Sequence, residues 1–132
     1  MATIIKEELR AGPFHELFAQ GVCVGDTIHL SGAVSLDQAG GVVGVGDLGA
    51  QVRQCYANIG TVLHRFDVTF HNLVDETWFV TDLARVMGEL GSVTAARADF
   101  LGERPQITQT MVEVTGLVMP ELLVEIKCLA RR

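Results

Sequence analysis

The pattern of apolar and polar positions changes period along the chain. Near the start, Ala19 to Val24 and Thr27 to Ser31 are two short apolar runs joined by Gly25-Asp26. That spacing predicts two strands closed by a tight hairpin. Before them, Thr3 to Glu7 reads as an edge strand broken by Ala11-Gly12-Pro13. Gln38 to Gly46 is rich in glycine and reads as a loop, with room for a short strand at Val42, Val43 and Val45.

The period then becomes helical. Leu48, Val52, Cys55, Ile59, Val62, Leu63 and Phe66 recur at spacings of three and four, the apolar face of an amphipathic helix. Asp47 is placed to cap it, its carboxylate accepting from the first free backbone N–H groups. His71 to Val80 is branched and aromatic and predicts a strand. A second helix, capped by Asp82, is expected to bury Leu83, Met87, Leu90, Thr94 and Leu101, with Val86, Val93 and Phe100 beside them. Gly88 and Gly91 weaken it by about 1 kcal/mol each, so it depends on tertiary packing.

Thr108 to Val114 and Leu122 to Ala130 are expected to form a last hairpin. In the second run Leu122, Val124, Ile126 and Cys128 alternate with Leu123, Glu125, Lys127 and Leu129. The first set should meet the helices. If the two strands pair about Leu117, Gln109 and Glu125 stand opposite each other. The order β-β-β-α-β-α-β-β predicts one α+β domain over residues 1–132, a mixed six-stranded sheet with two helices on one face.

Composition narrows the partners. The chain has 132 residues, enough for a core without disulfides. Its net charge of −6 disfavours nucleic acid, because phosphate backbones are repelled. Its 48% hydrophobic content points to some apolar surface buried against further copies of the chain. Cys23, Cys55 and Cys128 are odd in number and far apart, which argues for buried thiols in a reducing cytoplasm. Met1 to Glu8 carries no apolar leader, and no run is long enough to span a bilayer, so no membrane is expected.

Candidate chemistry is sparse. His15, His29, His64 and His71 have no metal-ligand spacing, so no metal is expected. Ser31 lacks the glycine-flanked setting of a nucleophile elbow. The glycines from 40 to 49 do not follow a strand as in dinucleotide sites, and no cofactor is expected. Glu125 stands out as a carboxylate in an otherwise apolar strand. Such a group titrates closer to neutral pH and can exchange protons. The competing reading is a structural pair with Lys127, Arg53 or Arg104.

An ordered series of short motifs runs through most of the chain. It comprises Phe18-Ala19-Gln20-Gly21-Val22, Ile28-His29-Leu30-Ser31-Gly32, Gln51-Val52-Arg53-Gln54 with Asn58-Ile59, Thr77-Trp78-Phe79-Val80-Thr81-Asp82, Val112-Glu113-Val114 and Val124-Glu125-Ile126. This series resembles the RidA/YjgF family, also called L-PSP endoribonuclease-like. The resemblance implies a chorismate-mutase-like α+β fold and a homotrimer with a ligand cleft at each subunit interface. It also implies hydrolysis of small enamines and imines to ketoacids and ammonia.

By that resemblance, Glu125 matches the glutamate that orients the hydrolytic water. Ser31 and Gly32 match the polar end of the cleft. Phe18 stands where an aromatic closes the pocket, Met111 where a small thiol or apolar residue is common, and Thr94 where a polar helix residue enters from the neighbouring subunit. One departure matters more. The family's deaminases grip the substrate carboxylate with an arginine shortly before Val-Glu-Val, and here that place is Gln109. A neutral amide brings no charge, and the lost charge-assisted pairing costs roughly 1.5–3 kcal/mol of binding.

The resemblance therefore implies a trimer that binds a small polar metabolite and hydrolyses a C–N bond, with little activity on 2-iminopropionate-type acids. A non-catalytic binding or regulatory trimer is the second reading. A third places a displaced positive charge, from Arg97 or Arg104, opposite a different substrate. Endoribonuclease activity is disfavoured by the absence of a basic cluster.

Overall fold

The computed structural model describes residues 3–132; Met1 and Ala2, the first two positions of the N-terminal reading, lie outside it. The elements are β1 (Glu7–Leu9), β2 (Gly21–Val24), β3 (Thr27–Leu30), β4 (Ala33–Val34), α1 (Leu48–Arg65), a 3-10 turn (Phe70–Asn72), β5 (Leu73–Val80), α2 (Leu83–Gly88), α3 (Leu90–Leu101), β6 (Thr108–Glu113) and β7 (Val124–Arg131). The sheet has seven strands in the order β1-β2-β3-β7-β5-β6, with β4 pairing on β7. Three helices cover one face. The α+β class holds, with one strand and one helix more than the hydrophobic pattern predicts.

The hairpin at Gly25-Asp26 forms as expected, because Gly25 takes the positive φ of 60° that the turn requires. Helix α1 also forms where the apolar stripe places it. Asp47 caps it by accepting from Ala50 N at 3.0 Å. Leu48, Val52, Cys55, Ile59 and Leu63 are all buried against the sheet, each aliphatic one contributing roughly 1.5–3 kcal/mol.

The first strand begins later than predicted, at Glu7. The glycine-rich loop supplies only a single bridge, Leu36 to Val42. The second helix is broken. Asp82 caps α2 by accepting from Arg85 N, α2 ends at Gly88, and α3 starts at Leu90. The break shifts the buried face: Val86, Val93 and Ala96 are buried, while Leu83, Met87 and Leu90 are exposed.

The largest correction concerns the last two strands. They do not form a hairpin. β6 pairs parallel with β5, whereas β7 runs antiparallel between β3 and β5. Gln109 is therefore in register with Glu76, and Glu125 with Phe79. Three positions separate those two β5 residues, so Gln109 and Glu125 project from opposite faces of the sheet.

Candidate functional site

The alternation of β7 sorts its side chains as the sequence predicts. Val124, Ile126, Cys128 and Ala130 are buried under the helices. Glu125, Lys127 and Leu129 project from the other face, where no helix lies. Glu125 is half-buried there beside Phe79 and β4. Burial pushes its carboxyl above the usual carboxylate range, and the Lys127 charge only partly offsets this.

None of the expected structural partners pairs with Glu125. Lys127 donates to the backbone carbonyl of Leu30 at 3.3 Å, and Arg53 pairs with Asp99. Arg104 lines a surface hollow with Phe70, His71, Leu101 and Ile107. The carboxylate instead abuts bare backbone. A Cβ added at Gly32 would sit 2.7 Å from Glu125 Cδ and Oε2, so only glycine lets the carboxylate lie there.

Two buttresses hold this corner. Ser31 N donates to Gln20 O at 2.9 Å, and Ser31 Oγ donates to Ala19 O at 2.6 Å, fastening the end of β3 to the segment after Phe18. The Ser31 proton is thereby committed to the backbone. Gln51, fully buried, donates to Gly44 O and Glu121 O and accepts from Leu123 N, fixing the approach to β7. Phe18 stacks on Phe14 at 5.7 Å and stays exposed.

The remaining predicted residues lie on the helix side. Gln109 and Met111 occupy the edge strand β6 in register with the core residues Glu76 and Trp78. Met111 is half-buried against the core, and Gln109 is exposed at the rim. Thr94, on α3, turns its hydroxyl back to Leu90 O at 2.7 Å and is exposed. Within one protomer the structure brings Glu125, Gly32 and Ser31 together and leaves Gln109, Met111 and Thr94 apart from them.

Sequence reasoning missed a second carboxylate. Glu76 is fully buried. Its Oε1 accepts from Tyr56 OH at 2.6 Å; its Oε2 accepts from Arg97 Nε at 2.7 Å and Gln109 Nε2 at 3.0 Å, and lies 2.6 Å from Arg97 Nη2 in an ion pair. Burial and the neighbouring carboxylate push the Tyr56 hydroxyl far above its ordinary range, so it stays a proton donor. The signal was present: Glu76 shares the alternation phase of Trp78 and Val80, and a charge at a core position requires a partner. Arg97 is consumed by this pair and offers no displaced charge to a ligand.

Among the described residues no group of three or more His, Cys, Asp or Glu is arranged to hold a metal, and no helix is long and apolar enough to cross a membrane. Burial raises the thiols of Cys55 and Cys128 well above their ordinary range, which keeps them protonated and inert.

Comparison with known proteins agrees with this architecture. The model of the family described as Endoribonuclease L-PSP matches residues 11–132. A RutC family protein of Synechocystis is 28% identical over 120 residues, 90% of this chain and 85% of that protein. A 2-iminobutanoate/2-iminopropanoate deaminase of Bos taurus is 32% identical over 66 residues, 50% of this chain and 48% of that protein. Among solved structures, a Rid family protein of unknown function from Yersinia pestis superposes with a TM-score of 0.83 at 25% identity, covering 97% of this chain and 100% of the other. A YjgF/YER057c/UK114 family member from Mycobacterium tuberculosis gives a TM-score of 0.77 at 27% identity, with coverage of 97% and 100%.

Proposed function

The chain belongs to the Endoribonuclease L-PSP (YjgF/RidA) family, and from that premise we propose that it is a homotrimer whose inter-subunit clefts bind a small polar metabolite and hydrolyse a reactive C=N bond. The observation that carries the proposal is the Glu125 carboxylate. It is half-buried, raised in pKa and set against the bare backbone of Gly32, on a sheet face that no helix covers. That face also carries Val22, Phe79 and Leu129 half-exposed, and Val112 at 38% exposure, apolar surface suited to a second copy.

In the proposed reaction Glu125 accepts a proton from water as its oxygen attacks the imine carbon. The proton passes to nitrogen to give a carbinolamine; Glu125 then carries the hydroxyl proton to the same nitrogen as the C–N bond breaks, and a carbonyl compound and ammonia leave. Gly32 and the backbone around it orient the substrate, and Phe18 shields it from solvent. Because Gln109 and Glu125 occupy opposite faces of one protomer, a cleft containing both takes one from each of two subunits. A deaminase-named relative supports the C=N chemistry. Carboxylates already pair with Arg10, Arg53, Arg85, Arg97 and Arg132, which disfavours a phosphate-binding surface and hence an endoribonuclease role.

A non-catalytic binding trimer is the second reading, favoured by the uncharged Gln109 where the deaminases carry an arginine. One experiment separates them. The solution mass is expected at three times the 14.3 kDa protomer. Imines generated in situ by an amino-acid oxidase are then followed as they decay. Neutral or amide-bearing imines are expected to decay faster with the protein and at the background rate with Glu125→Gln, while 2-iminopropanoate responds little to either. A monomer, or full activity in Glu125→Gln, overturns the proposal; ligand binding without turnover in the wild type selects the second reading.

A further inference from the structure

The orientation of Gln109 is decided by its neighbour. A carboxylate oxygen paired with a guanidinium accepts hydrogen bonds, and Glu76 Oε2 is engaged in this way by two nitrogens of Arg97. The Gln109 amide must therefore turn its NH2 inward to Glu76 Oε2, where it sits at 3.0 Å. Reversing the amide would set its carbonyl against the carboxylate oxygen, losing the bond and adding repulsion. The carbonyl oxygen Oε1 is left facing outward from an exposed residue on an edge strand, and it accepts no hydrogen bond among the described residues.

We propose that Glu76 is a specificity-determining positioning residue: by clamping the Gln109 amide it converts the cleft's acid-gripping position into a hydrogen-bond acceptor that selects ligands bearing an N–H group, such as primary carboxamides or ureas, over carboxylates. The proposal rests on the cleft reading above and deepens it. An outward carbonyl attracts an N–H donor and repels a carboxylate, so one clamped amide supplies both preference and rejection. The half-buried Arg97 serves this device rather than the ligand, since its charge is matched by Glu76.

The test compares pyruvamide with pyruvate, two probes of nearly equal size that differ at the group in question. Both are titrated against the trimer by NMR. Pyruvamide is expected to bind about tenfold tighter than pyruvate, the worth of one good hydrogen bond gained and one repulsion avoided. In Glu76→Gln the neighbouring amide can accept as well as donate, Gln109 is free to reverse, and the preference is expected to shrink towards unity. Gln109→Leu, at an exposed position that leaves the Glu76–Arg97 pair intact, is expected to erase the preference without unfolding the protein. It also identifies the Gln109 NH2 signals by their disappearance. In the wild type those signals are expected to be shifted and slow to exchange with water.

Equal affinity for the two probes, tighter binding of pyruvate, or binding of neither probe overturns the proposal. So do NH2 signals that exchange as fast as those of a free surface glutamine. The NH2 readout needs no ligand, and the solution mass and Glu125→Gln rates test the cleft separately, so failure of the one reading is distinguishable from failure of the other.

Discussion

Two carboxylates face opposite sides of the same sheet, and their surroundings could hardly differ more. Glu76 is fully buried and receives three hydrogen bonds from three side chains, with a second Arg97 nitrogen in ion-pair contact. Glu125 is half-buried, faces bare backbone at Gly32 and belongs to no ion pair among the described residues. Burial alone therefore does not mark a reactive group. A saturated carboxylate has its lone pairs committed and acts as a structural fastener. A partly desolvated one without donors keeps lone pairs for water, and it is the better base.

The sharpest way to break this contrast is to unsaturate Glu76. Arg97→Ala strands the carboxylate in the core, and we expect a loss of about 3–5 kcal/mol, towards the lower end because the Arg97 side chain is 20% exposed. Chemical denaturation measures it. A loss below about 1 kcal/mol would show that the pair is a surface contact in disguise. Tyr56→Phe removes one donor to a charged acceptor and keeps the ring packed on Phe100, so we expect about 1.5–3 kcal/mol.

The smallest effect, and opposite in sign, belongs to Glu125→Gln. Burial raises the carboxyl in the folded protein, so the folded state binds more protons than the unfolded one between the two pKa values. Stability conferred by the protonated form is complete at acid pH and falls as pH rises through that window. The variant should melt above the wild type at neutral pH, and the gap should close on acidification below the ordinary carboxylate range. A gap that widens in acid would mean that Glu125 finds a cationic partner in the assembly.

The sequence made local features legible and left tertiary ones hidden. The stripe from Leu48 to Phe66 and the Asp47 cap are readable because a helix is decided by near neighbours. The side of the sheet that Glu125 faces is readable because alternation has a period of two. The pairing of β6 was not. Adjacent strands usually form hairpins, and only the crossover through α2 and α3 brings β6 beside β5 in a parallel register. That one misplaced strand put Gln109 opposite Glu125. It also hid Glu76, whose partners come from α1, α3 and β6 and meet only in three dimensions.

The place of β7 has a consequence for biogenesis. It lies between β3 and β5, and the half-sheets β1-β2-β3 and β5-β6 are joined only through it, although it is translated after both. A ribosome-bound chain lacking β7 holds two half-sheets, each with a sticky open border and apolar side chains ready for intermolecular pairing. The sheet closes only when the final strand arrives as a wedge between them, so the interval before its synthesis is when the nascent chain most needs a chaperone's protection.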